Sequence, residues 1–387
     1  MPALKICKLK KWISGALAVL LLQIPMPAVQ GASLRDLPAP SAVLMEESTG
    51  KVLFEKNAHE KRPCASVTKV MTLLLVMEAL DSGKIKLDDE VAASAHAASM
   101  GGSDIWLEEG EVMTVDDLLK ATVIMSANDA AVVLAEYVAG SEDEFVQQMN
   151  QRAKELGMED TTFLNCNGLD EDGHLTSAYD VALMSRALIS HEKIYDYTQV
   201  WMDSVRDGKT QLVNTNKLLK TYNGITGLKT GTTSKAGSCI SATASRDGLG
   251  LIAVVLGCAT TNDRFQSAAA LLDSGFANWE SLSLSVPALP KLPVTNGVET
   301  EISLSAKESG PISVLAPKGN QEKVQVEISL PDSLKAPVKA GQKVGEIQWK
   351  LENEVLKTVE INAADSAEAL SWLICLRELV QRLCCFS

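Results

Sequence analysis

The sequence predicts an α+β fold, an antiparallel sheet with a helical cluster, followed by a small all-β domain and a terminal amphipathic helix. Three observations carry this. β-patterned runs stand at both ends of the stretch from Ala42 to Cys258, with apolar helical segments gathered between them. Such segregation favours an antiparallel sheet over alternating βαβ units. From about Leu282, Pro287, Pro290, Pro293, Gly297, Gly310 and Pro311 punctuate short alternating runs such as Val324-Gln325-Val326-Glu327-Ile328.

The elements follow in order. Lys5, Lys8, Lys10 and Lys11 precede an apolar run from Trp12 to Ile24, and Val29-Gln30-Gly31 offers small residues for cleavage, so residues 1–31 read as an export signal. Ala42 to Met45 and Lys51 to Phe54 flank Glu47-Ser48-Thr49-Gly50 as a β-hairpin. Helices are expected over 66–80, 115–125, 129–138 and 144–156, with a break around Ser126-Ala127-Asn128. Strands return at 237–245 and 249–258, joined by Arg246-Asp247-Gly248, and a long helix is expected over 263–281. The domains are then 32–281 for the chemistry, 282–363 for the β-rich region, and 364–387 for a helix that places Ala369, Trp372, Leu373, Leu376, Leu379, Val380, Leu383 and Phe386 opposite Ser371, Glu378, Gln381 and Arg382. With charges inside it, that helix should lie on a membrane or a partner rather than cross a bilayer, the alternative being a helix packed back on its own domain.

Composition excludes some classes of function. The chain has 387 residues, 46% hydrophobic and 22% charged, as a globular protein does. Its net charge of −13, with no Lys/Arg cluster, argues against nucleic acid as a partner. Loss of the four signal lysines would take the exported chain to −17. The eight cysteines are scattered without metal-ligand spacing, and Cys64 and Cys258 lie in apolar stretches as buried thiols do. No cofactor or metal is expected.

Chemistry concentrates where a lysine interrupts an apolar run, in Cys64-Ala65-Ser66-Val67-Thr68-Lys69-Val70-Met71. A charged ammonium is costly to bury, so the amine needs a reason to be there. Ser66 falls at the helix's leading turn, where free N–H groups favour developing negative charge, and Lys69 projects from the same face three residues on. A desolvated amine has a lowered pKa and becomes a general base for the hydroxyl. Ser-x-x-Lys alone is weak evidence, since Ser48 to Lys51 also matches and sits in the hairpin turn. Two further stretches add to it. Ser126-Ala127-Asn128 lies in a helix break that can present side chains to a cleft. Lys229-Thr230-Gly231 lies where a strand begins, with Lys229 suited to an anionic group and Gly231 to close approach by a substrate.

With S-x-x-K, S-x-N and K-T-G in this order, the chain resembles the active-site serine penicillin-binding proteins and serine β-lactamases, and most of all the low-molecular-weight D-alanyl-D-alanine carboxypeptidases. The likeness runs from Ala42 to about Ser281 and includes Asn167-Gly168-Leu169-Asp170. It implies a β-lactamase/transpeptidase-like domain at the extracytoplasmic membrane face, removing the terminal D-alanine from peptidoglycan stem peptides and acylated by β-lactam antibiotics. It further implies Ser66 as nucleophile, Lys69 as base and Ser126 as proton relay. Asn128 would bind the substrate amide, Lys229, Thr230, Gly231 and Thr232 would line the carboxylate subsite, and the N–H groups of Ser66 and Thr232 would form the oxyanion hole. Position 232 varies among related enzymes, which leaves its side-chain role less defined than its backbone role.

Rival chemistries find less support. There is no G-x-S-x-G or H-E-x-x-H, and His59, His96, His174 and His191 lie in no catalytic pattern. A class A β-lactamase would need a glutamate in E-x-x-L-N, but Thr161 occupies that place before Leu164-Asn165. A non-catalytic sensor or scaffold would be expected to lack Ser66 or Lys69.

Overall fold

The computed structural model describes residues 34–308 and 310–384. The export signal expected over 1–31 and the last three residues of the tail lie outside them. The centre is an antiparallel sheet whose strands are β1 (Ser41–Glu46), β2 (Val52–Lys56), β3 (Ile225–Thr233), β4 (Gly237–Arg246) and β5 (Leu249–Cys258). Their order is β2-β1-β5-β4-β3. The run Leu251 to Leu256 is apolar at every position because both faces of this sheet are covered. Ile252, Val254 and Leu256 face one core, while Leu251, Ala253 and Val255 face another.

The first core belongs to the helical cluster. Its axis is α1 (Lys69–Asp81), buried from Lys69 to Met77, which explains an apolar run with no polar stripe. Around it lie α2 (Val115–Lys120), α3 (Asn128–Ala139), α4 (Glu142–Glu155) and α5 (Ala178–Ile189). The second core lies under α6 (Thr261–Asn278), which packs Ala268, Leu271, Leu272 and Phe276 on the sheet's other face. A capping box starts α6: Thr260 Oγ1 accepts from the Asp263 N–H, and the Asp263 carboxylate accepts from the Thr260 N–H, both at 3.1 Å.

The expected hairpin forms, and the second Ser-x-x-Lys is only its turn. There the Glu46 carboxylate accepts from the N–H groups of Ser48 and Thr49, at 2.8 and 2.7 Å. Three expectations shift. The helix placed at 263–281 stops at Asn278, because Trp279 turns extended and Trp279–Leu284 pairs antiparallel with Ile312–Pro317. No glycine or proline marks that stop in the sequence. Lys229-Thr230-Gly231 lies in the second half of β3 rather than at its start. The terminal helix α7 begins at Trp372, not Ala364, since Ala367 and Ala369 bridge to Val338 and Gly297.

The β-rich region folds around two small cores, one holding Leu292, Val294, Ile302 and Val338, the other Ile312, Val314, Ile347 and Trp349. An ion pair of 2.6 Å between Lys51 and Glu354 joins it to the sheet domain.

Candidate active site

Ser66 sits in a single 3₁₀ turn, Ala65–Thr68, and α1 proper begins at Lys69. The sequence reading placed Ser66 in the α-helix itself. The tighter turn does more: with three residues per turn it eclipses positions i and i+3, stacking the side chains of 66 and 69. Lys69 Nζ lies 3.2 Å from Ser66 Oγ.

Lys69 is completely buried, yet every N–H it can offer has an acceptor. Besides Ser66 these are Asn128 Oδ1 at 2.5 Å and the Asn167 carbonyl at 2.8 Å. A neutral amine has two N–H groups and one lone pair. Donation to Asn128 and Asn167 therefore leaves the lone pair for the Ser66 hydroxyl. Burial lowers the Lys69 pKa to about 7, with Asp104 and Asp129 nearby opposing the shift. The base anticipated from the apolar run is thus poised near neutrality.

Asn128 owes its orientation to a loop: its Nδ2 donates to the Gly101 carbonyl at 2.6 Å, which turns Oδ1 toward Lys69. Its own N–H reaches the Ser103 carbonyl at 2.6 Å. The break between α2 and α3 is a π turn over Ala121–Met125, ended by Ser126 at φ 67°. That left-handed geometry costs a non-glycine residue about 1–3 kcal/mol, and it reverses the chain sharply. The Ser126 Oγ is buried and has no hydrogen-bond partner among the described residues. An orphaned hydroxyl of this kind is costly unless a ligand or reacting group uses it.

β3 closes the site from the other side. A Cβ on Gly231 would stand 2.6 Å from the Cys64 carbonyl oxygen and 2.9 Å from the nitrogens of Ser66 and Val67. The close approach read from this glycine is therefore made by the turn carrying Ser66, not by a substrate. Lys229 is almost wholly buried, with Nζ 3.1 Å from the Thr230 carbonyl. Burial, with Lys69 and Arg264 nearby, pushes its pKa well below the lysine range, so it is a weaker fixed cation than the sequence implied. Thr230 Oγ1 donates to Thr215 Oγ1 at 2.7 Å.

Two groups had no assigned role in the sequence reading. Arg264, on α6, donates to the Gly231 carbonyl at 2.9 Å and to Thr232 Oγ1 at 2.8 Å. A guanidinium holds its charge more firmly than an amine does on burial. The signal was an arginine on a helical face shared with Ser267, Ala268 and Leu271. Asn167 acts through its backbone carbonyl, which no side-chain pattern reveals.

Histidine chemistry has no place here. His174 Nδ1 accepts from the Leu164 N–H at 3.1 Å, so Nε2 donates to Thr68 Oγ1 at 2.8 Å, and burial lowers its pKa to about 4. His59, His96 and His191 pair with Asp160, Glu142 and Asp81. Among the described residues, no three or more His, Cys, Asp or Glu side chains are grouped to hold a metal.

Comparison with known proteins places this geometry in context. The family profile described as D-alanyl-D-alanine carboxypeptidase matches residues 28–260, and that described as the C-terminal domain of penicillin-binding protein 5 matches residues 288–369. The D-alanyl-D-alanine carboxypeptidase DacF of Bacillus subtilis is 44% identical over 345 residues, spanning 88% of each chain. Penicillin-binding protein 5 of Haemophilus influenzae superposes with a TM-score of 0.76 at 29% identity, over 86% of this chain and 98% of that one. Penicillin-binding protein D2 of Listeria monocytogenes, solved in an ampicillin-bound form, gives a TM-score of 0.57 at 35% identity, over 62% of this chain and 98% of that one.

Proposed function

The chain belongs to the D-alanyl-D-alanine carboxypeptidase family, and from that premise we propose that it removes the terminal D-alanine of peptidoglycan stem peptides through an acyl-enzyme on Ser66. The observation that carries the assignment is the buried Lys69 amine, 3.2 Å from Ser66 Oγ with its other partners supplied by Asn128 and Asn167. Lys69 takes the hydroxyl proton as Oγ attacks the carbonyl between the two D-alanines. The oxyanion rests on the N–H groups of Ser66 and Thr232, interactions each worth several kcal/mol in acyl transfer. Ser126 hands a proton to the departing amine, and D-alanine leaves. Water then attacks the acyl-serine by the same route in reverse.

Asn128 holds the substrate amide while keeping Lys69 oriented. The carboxylate subsite comprises Lys229, Thr230 and Thr232, with Gly231 between them admitting the turn that carries Ser66, and Arg264 supports it with a lasting positive charge. β-lactams enter as mimics of the D-Ala-D-Ala end and acylate the same serine. Release of D-alanine from diacetyl-Lys-D-Ala-D-Ala tests the reading. Rapid penicillin turnover without that release would instead mark a β-lactamase, and labelling without turnover of either would mark a sensor.

The pH dependence follows from Lys69. Its folded pKa of about 7 lies below the ordinary lysine value, so the usable amine grows as pH rises through 7. Acylation should fall about tenfold for each pH unit below that point and level off above it. A kcat/KM profile flat from about pH 5 to 8 would remove Lys69 as the base.

We assign residues 32–281 to the catalytic domain and 282–363 to a spacer of the kind the β-rich fold provides. Export through residues 1–31 would place the enzyme in the cell-wall space. No described helix is long and apolar enough to cross a membrane, but α7 exposes Trp372, Leu373, Leu376 and Val380, spaced to share one face. That face rests on the membrane surface. Deletion of residues 364–387 should release the mature protein from membranes in a flotation assay; persistent membrane association would count against the tail.

A further inference from the structure

The turn after β3 is tied to the loop that holds Lys69, and the tie nearest the site is the Asp170 carboxylate. Residues 165–172 form a loop stiffened from within. Gly168 N–H donates to Asn165 Oδ1 at 2.7 Å, Leu169 N–H to Asn167 Oδ1 at 3.0 Å, and Asn165 Nδ2 to the Leu169 carbonyl at 3.1 Å. At its inner end the Asn167 carbonyl takes the Lys69 amine. At its outer end Asp170 Oδ1 accepts from the Thr233 hydroxyl at 2.6 Å, and Oδ2 accepts from the Lys235 N–H at 3.3 Å. Thr233 directly follows Thr232.

A cavity of about 190 Å³, lined by residues including Pro63, Ala65, Gly168, Leu169, His174 and Lys235, lies beside the loop. An ion pair of 2.6 Å between the Lys235 ammonium and Asp172 joins the same turn to the loop further from the site. Arg264 grips Gly231 and Thr232 from the opposite side. The end of β3 is therefore held between a guanidinium from α6 and a carboxylate from the loop.

We infer that Asp170 is a positioning residue that fixes the Thr232 amide against Ser66 and Lys69 by anchoring Thr233 to the loop that carries Asn167. This rests on the reading that Ser66 is acylated and that the Thr232 N–H faces the oxyanion. Such a residue touches no substrate; it sets the distance between the base and the oxyanion donor. Displacements of about 1 Å at that distance cost up to about 100-fold in rate. Binding before the chemical step should change little.

The test is stopped-flow acylation by a fluorescent penicillin, with the non-covalent dissociation constant and the acylation rate constant resolved separately. Asp170→Ala should lower the rate constant about 10- to 100-fold while leaving the dissociation constant near that of the wild type. Thr233→Val should act in the same direction, and the double variant should be no slower than the slower single one, because both break one tie. A wild-type rate constant in Asp170→Ala, additive losses in the double variant, or a loss wholly in binding would overturn the inference. Should Asp170→Ala not fold, Thr233→Val decides alone, and a wild-type rate there is fatal. Absence of any label on Ser66 in the wild type is a distinct result, which would remove both the nucleophile and this inference.

Discussion

Ser66→Ala is expected to release no D-alanine from diacetyl-Lys-D-Ala-D-Ala and to take no covalent penicillin label. Loss of the nucleophile in a serine hydrolase costs on the order of 10⁶-fold in kcat, about 8 kcal/mol of transition-state stabilisation. Folding should survive. Ser66 is only partly buried, and among the described residues its hydroxyl has a single side-chain partner, Lys69. Lys69 keeps Asn128 and Asn167, so its amine is not orphaned. Urea unfolding within about 1 kcal/mol of the wild type, together with absent labelling by mass spectrometry, is the expected pair of results. Label on any other residue would move the nucleophile elsewhere.

Gly168→Ala should damage stability and chemistry together. Gly168 has φ +86°, and a Cβ there would lie 2.0 Å from the Ala65 carbonyl oxygen and 2.9 Å from Thr68 Oγ1. A clash with backbone cannot be relieved by a rotamer. Either the turn carrying Ser66 or the loop carrying Asn167 must retreat, and these hold the two ends of the Ser66–Lys69 pair. We expect a loss of about 3–5 kcal/mol in urea unfolding and about 100-fold in acylation rate. Gly83→Ala is the control: it too has positive φ, +72°, but nothing stands within 4 Å, and about 1–2 kcal/mol should be the whole effect. Equal effects at the two glycines would show that strain alone, and not the contact with Ala65, governs position 168.

Local chemistry explains which features were legible in the sequence. Glu47 to Gly50 announced a turn through hydroxyl residues and a glycine at φ 74°, and the structure adds the Glu46 carboxylate that accepts from the N–H groups of Ser48 and Thr49. The order of Ser66, Ser126 and Lys229 was legible because each interrupts an otherwise regular pattern. Arg264 and Asn167 were not assigned roles because their partners lie 33 and 98 residues away, and the contact to Asn167 uses a backbone carbonyl that every residue has. Gly231 was read as a place for substrate, whereas only the folded chain shows that Ser66's own turn occupies it. The stop of α6 at Asn278 was hidden because the strand that captures Trp279 lies more than thirty residues further on.

The junction before α7 has a mechanical consequence. Leu370 is still fastened to the β-rich fold through its N–H and the Asn296 carbonyl, at 2.8 Å, and the helix starts at Trp372. A long disordered leash would give an enzyme a reach that widens with the square root of its length. This one has a single residue of slack. Were that helix seated on a surface, the β-rich fold would stand within one residue of it.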